Sequence, residues 1–125
     1  MLPPRLLSVC LLGTLALSLV ACGGGVDKKA CGRLESTLGG IRQQAMTQVD
    51  DPARVARTYT SGAATLRAQA GRTDGRLRKA AERAAGALDQ LGRQVKAAAD
   101  GTGSSVDSSA LISATNDLRH TCAGS

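Results

Sequence analysis

The chain has 125 residues, sixteen Lys and Arg against ten Asp and Glu, and one aromatic side chain, Tyr59, with neither Trp nor Phe. That length allows one domain at most. A single aromatic residue provides no stacking platform for single-stranded nucleic acid, and Ala and Gly make up much of a sequence whose hydrophobic content is 42%, so any core is built from small side chains.

In chain order, "MLPPR" supplies the N-terminal amine and Arg5, and Leu6 to Val20 is then apolar apart from Ser8, Gly13, Thr14 and Ser18. This run is shorter than the ~20 residues a membrane-crossing helix needs. A charged start, a short apolar stretch and small residues after it predict a secretory signal peptide over residues 1–21. Leu19-Val20-Ala21-Cys22 resembles the lipobox of bacterial lipoproteins. The resemblance implies cleavage before Cys22, a diacylglycerol with palmitate-type chains on its sulfur, and anchorage at the extracytoplasmic face of the cell membrane. It covers only the first two dozen residues and implies nothing about the domain that follows. Residues 22–26, the lipidated Cys and "GGGV", read as a tether; the Ala, Gly and Arg richness suits a GC-rich, actinobacterial-type genome.

The domain proper is expected over 27–125, where four helical patterns follow one another, with apolar or small residues recurring at three and four. The first aligns Cys31, Leu34, Leu38, Ile41 and Ala45; the second aligns Val55, Tyr59, Gly62, Leu66 and Ala70. The third carries Leu77, Ala81, Ala84, Leu88, Leu91, Val95 and Ala98, and the fourth Leu111, Thr115, Leu118 and Cys122 with Ile112 beside them. Asp51 before Pro52, Thr73 or Asp74, and a capping box of Ser104 with Asp107 mark helix starts. Gly71 and Gly101 mark helix ends. Gly39-Gly40, inside the first helix, implies either a kink or a close helix contact. No alternating β-branched run is present, so the expected fold is all-α.

Cysteine usage sharpens that fold. Cys10 leaves with the signal, and acylation of Cys22, as the lipobox resemblance implies, leaves Cys31 and Cys122 to pair in an oxidising compartment. The loop so closed is worth roughly 4 to 5 kcal/mol in the chain-entropy model. Both cysteines lie on apolar faces, one near the start of the first helix and one near the end of the last. An up-down bundle brings those ends together only with an even number of helices; three would hold them about 30 Å apart, against the ~7 Å between Cα atoms that a disulfide tolerates. The expectation is therefore a small four-helix bundle closed by one disulfide.

Catalytic and metal signals are absent at sequence level. His120 has no second His or paired Cys at ligand spacing, and CxxC, HExxH and GxSxG motifs are missing; His120 suits a solvated helix C-terminus. "GTGSSV" at 101–106 follows a helix and lacks a GK[ST] ending, so it reads as an interhelical turn. Asp50 and Asp51 form the one adjacent acidic pair and suit a helix start rather than acid/base work.

The positive signal is charge. Arg72, Arg76, Lys79 and Arg83 share one side of the third helical pattern as a basic stripe, with local pairing expected between Asp89 and Arg93. Such a stripe attracts anions or phospholipid headgroups, about 1 kcal/mol per basic residue near an anionic membrane. Tyr59 reads as a core residue with its hydroxyl at the edge. Tyr can also ligate haem iron, and small secreted helical haem-carrying proteins of mycobacteria resemble this layout in being closed by terminal cysteines, without a shared motif. The functional expectation is a non-catalytic extracytoplasmic lipoprotein, without cofactor, whose partners are the membrane and either an anionic lipid or a surface protein. The alternatives are a haem or lipid carrier, which needs a cavity around Tyr59, and a structural protein lying on the membrane by its basic face.

Overall fold

The computed structural model describes residues 26–103 and 105–124. The signal peptide, the lipobox and Gly23 to Gly25 fall outside these residues, as does Ser104 of the expected capping box. Four helices follow in order: α1 (Lys28–Met46), α2 (Pro52–Ala70), α3 (Gly75–Ala99) and α4 (Ser109–Ala123). Among the described residues there is no strand.

Three of the four helices start where a polar side chain answers an unpaired amide. The Asp27 carboxylate accepts from the amides of Lys29 at 2.9 Å and Ala30 at 3.3 Å. Asp51 accepts from Arg54 N at 3.2 Å, with Pro52 in the first turn, where its missing N–H costs nothing. Asp74 occupies the cap of α3 without a side-chain bond, and Thr73 belongs to the preceding turn, its hydroxyl donating to Ala70 O at 2.9 Å. At α4 the Asp107 carboxylate accepts from Ser109 N at 2.9 Å. Gly71 closes α2. Gly101, two residues past the end of α3, takes φ +76°, and the amides of Thr102 and Gly103 both reach Ala97 O, a left-handed ending that only glycine adopts without strain.

The helices run up and down in a ring, α1 against α2, α2 against α3, α3 against α4, and α4 back to α1. The α2/α3 contact is the most extensive and the α4/α1 contact the slightest. Each helix contributes one fully buried leucine: Leu34, Leu66, Leu88 and Leu118. Around these the core is mostly alanine, with Ala63, Ala70, Ala81, Ala84 and Ala85 completely buried. Cys31 and Cys122 are joined, Cα to Cα 5.8 Å, and close the ring at the pole where α1 begins and α4 ends.

The inner face of α2 departs from the expected one. Val55 and Tyr59 are half-buried, and Ala56 and Ala63 take the buried positions beside Gly62 and Leu66. The reason is proximity: a Cβ on Gly92 would lie 2.9 Å from Thr60 Cγ2 and 3.2 Å from the Ala56 carbonyl oxygen, and one on Gly62 would lie 2.7 Å from Ile41 Cγ1. Such backbone approach leaves room inside only for the smallest side chains. Gly39 and Gly40 do not mediate a close helix contact, since nothing lies within 4 Å of an added Cβ at either, and α1 runs through both without interruption. Val95 is half-buried and Ala98 exposed because α3, at 25 residues, outruns α2 at 19 and α4 at 15. Ile112 faces out, 57% exposed.

Candidate functional site

The antiparallel ring gives the molecule two unlike poles. At the disulfide pole lie the starts of α1 and α3 and the ends of α2 and α4. Lys28, Lys29, Arg33, Arg72, Arg76 and Lys79 are all exposed there. At the far pole four acids, Asp50, Asp51, Asp100 and Asp107, sit in the two loops or at their edges. The basic excess of the described residues is thus concentrated around the start of α1.

The expected stripe of Arg72, Arg76, Lys79 and Arg83 is exposed throughout. Arg72 precedes α3, in the turn, and the other three lie on the first half of that helix. Arg83 pairs with Asp117 of α4, so the stripe is anchored at one end by an interhelical ion pair. Arg78 pairs with Glu82 at 3.4 Å. Asp89 pairs across to Arg67 of α2 at 2.5 Å rather than along its own helix to Arg93, because the close α2/α3 packing brings the two helices' flanks together. These exposed pairs each contribute about 0 to 1 kcal/mol.

Two concavities lie toward the far pole. A wide, open groove of about 530 Å³ between α1 and α2 is bordered by Gln44, Gln48, Arg54, Arg57, Thr58 and Ser61 among others. Within it Thr58 Oγ1 donates to Gln48 Oε1 at 2.6 Å, and at its edge Arg54 pairs with Asp51 at 3.8 Å. The second is a narrower, more enclosed cleft of about 260 Å³, whose walls come from all four helices and the residue before α4. Leu38 and Ile41 of α1, Leu88 and Leu91 of α3, and Leu111 and Ile112 of α4 supply an apolar lining. Tyr59 closes it from α2, and Arg42 and Ser108 are its polar members besides the Tyr59 hydroxyl.

Tyr59 therefore packs against the core and turns toward a cleft, and its hydroxyl has no hydrogen-bond partner among the described residues. His120, exposed in the last turn of α4, is at the opposite pole and does not approach it. The cleft lies where the ring is weakest: α1 and α4 are tied at the disulfide pole and make few other contacts, so they part toward the far end. Arg42 and Ser108 were not singled out by sequence. Arg42 directly follows Ile41 on the margin of the α1 apolar stripe, a weak signal that many solvated arginines share.

Among the described residues no group of three or more His, Cys, Asp or Glu converges, and no helix is long and apolar enough to cross a membrane. The Asp107 carboxyl is held below its ordinary value by hydrogen bonds from the backbone and the side chain of Ser109. No family model matches the chain, and no curated protein or solved structure is similar to it.

Proposed function

We propose that the protein is an extracytoplasmic lipoprotein, anchored through an acylated Cys22, whose disulfide-closed helical domain is a non-catalytic binding module. The observation that carries this reading is polarity of charge. The bundle carries its basic excess at the pole where α1 begins, whereas at the opposite pole acids and bases balance, Asp51 pairing with Arg54 and Asp100 with Lys96. Val26, expected in the tether, packs against the core instead, so the tether is residues 22–25, at most about 14 Å when extended, which holds the basic pole near the headgroups. Lys28, Lys29, Arg72, Arg76 and Lys79 then contribute about 1 kcal/mol each where they reach an anionic surface.

In that orientation the far pole faces outward. The large apolar residues exposed among the described ones, Met46, Val49, Val106 and Ile112, lie in its two loops or next to them. This supports a module that offers its far end to a ligand or a surface protein. The cleft around Tyr59 favours a second reading, a carrier of a small apolar ligand. Haem fits less well, since no His approaches Tyr59.

The deciding experiment is intact-mass analysis of the protein taken from its native membrane, before and after reduction. The expected mass is that of a chain starting at Cys22 with attached acyl chains, gaining two hydrogens on reduction. An unacylated chain cleaved elsewhere overturns the anchor.

A further inference from the structure

We propose that the cleft between α1 and α4 binds a single-chain amphiphile with an anionic head, of the fatty-carboxylate class, its chain lying against Tyr59, Leu111 and Ile112 over the buried Leu38 and Leu91, and its head at Arg42. The proposal deepens the binding-module reading but does not depend on the lipid anchor.

Three properties of the cleft select that ligand. The first is its lining, which apart from Arg42, Ser108 and the Tyr59 hydroxyl consists of leucine and isoleucine side chains. Leaving Ile112 57% exposed at the rim is unfavourable for a free monomer and is relieved by an apolar occupant. The second is charge. Arg42 is the one charged residue of the lining, no acid faces it there, and it has no ion-pair partner among the described residues. An anion at the mouth satisfies it bidentately, as guanidinium and carboxylate geometry allow, while a cationic head is repelled. The third is size. At about 260 Å³ the cleft lies just under the ~300 to 1,000 Å³ range of ligand pockets, enough for one extended chain and too little for a two-chain lipid.

The fold explains why such a site stays open. A cavity this apolar would ordinarily collapse by drawing its walls together. Here the disulfide fixes α1 to α4 at the other pole, and α3 holds α4 from the opposite side, so the two walls cannot slide into contact without disturbing the α3/α4 packing.

Tyr59 makes the test specific, because it is the only Tyr in a chain without Trp and therefore reports on this cleft alone. The chain carrying Cys22→Ser, with the disulfide intact, is titrated with dodecanoate and with dodecyltrimethylammonium below micelle-forming concentrations. Tyr59 emission is expected to change saturably with dodecanoate and not with the cation. Arg42→Gln, at an exposed position, should weaken dodecanoate about fivefold. Ile112→Glu, also exposed, should weaken it at least as much by placing a like charge at the rim. No saturable response, an equal response to both heads, or a response that neither substitution alters overturns the proposal. So does sedimentation showing the ligand-free chain to be a dimer whose dissociation alone accounts for the emission change, which would give the cleft to a second copy. A native mass without acylation would sink the anchor and leave this titration unaffected, so the two failures are distinguishable.

Discussion

Replacing both cysteines, Cys31→Ala with Cys122→Ala, tests what closes the ring. The two residues are 91 apart in sequence. With that loop length the chain-entropy relation gives a loss of about 15.5 cal/mol/K, or about 4.6 kcal/mol at 25 °C. A domain of about a hundred residues has an unfolding entropy near 200 cal/mol/K at its midpoint, so this corresponds to a fall in Tm of about 20 to 25 °C. The loss should also be uneven. α2 and α3 share the most extensive contact, whereas α1 meets α4 only slightly. Apart from the disulfide, α1 is held mainly by α2, where Ile41 packs over Gly62 and Gln69 Nε2 donates to Thr37 Oγ1 at 3.0 Å. Thermal denaturation by circular dichroism gives the total, and amide hydrogen exchange resolves it by helix; α1 should lose protection well before the α2/α3 pair. A fall in Tm under about 5 °C would refute the entropic account. Equal loss of protection in all four helices would refute the claim that the α1/α4 seam is the weak one. Comparing the double variant with the reduced wild-type chain separates the covalent link from sulfur packing at buried Cys31.

Other substitutions probe the packing and the caps. Gly92→Ala should destabilise by about 1 to 2 kcal/mol, overpacking against the Ala56 carbonyl oxygen exceeding the ~1 kcal/mol gain in helix propensity, whereas Gly39→Ala and Gly40→Ala, both in open space, should each stabilise by about 0.5 to 1 kcal/mol; urea unfolding distinguishes them. Leu66→Ala, at a position with no exposed surface, should cost about 2 to 5 kcal/mol in the same assay. The folded pKa of Asp107 is lowered, so its contribution is present above the ordinary value of 3.8 and is lost as pH falls through the folded value. The Ser109 amide should accordingly shift on acidification below pH 3.8 in an NMR titration, and not in Asp107→Ala. Binding of the unlipidated Cys22→Ser protein to anionic vesicles should be weak, lost at high salt, and reduced further in Arg76→Gln with Lys79→Gln; salt-insensitive binding would argue against the basic pole as the membrane contact.

How much of this was legible in the sequence depends on side-chain size. Where the apolar stripe is built from bulky residues, as with Cys31, Leu34, Leu38 and Ile41 of α1, the buried face follows the heptad-like spacing, and all four are buried. Where the stripe is mostly Ala and Gly, as in α2, spacing selects the largest residues, Val55 and Tyr59, yet the close approach to α3 favours the smallest, Ala56 and Ala63. The same cause misassigned the glycines: Gly62 and Gly92 make the tight contacts, and Gly39-Gly40 faces open space. The disulfide was readable from the cysteine count once the lipobox resemblance set Cys22 aside, and the even helix count followed from that pairing together with the four helical patterns. The cleft was not, because it arises from unequal seams in the ring, a property of helix pairs rather than of any one helix.

Those unequal seams bear on function. A bundle with a light alanine core gains little from any single helix contact, so one covalent link near a pole can hold the ring closed while the other end of the same seam stays parted. If the chain is anchored as proposed, placing the link at this pole has a mechanical consequence: the tied end is the one beside the membrane and the open end is the one turned away from it. The excess of lysines and arginines lies at the tied end, and within the cleft at the open one Arg42 is the one charged side chain, among leucines and isoleucines. Moving the disulfide to the far pole by pairing cysteines there should therefore raise stability as much as the native link does, yet close the cleft and abolish the dodecanoate response of Tyr59. A far-pole link that left the response intact would show that the opening between α1 and α4 owes nothing to where the ring is tied.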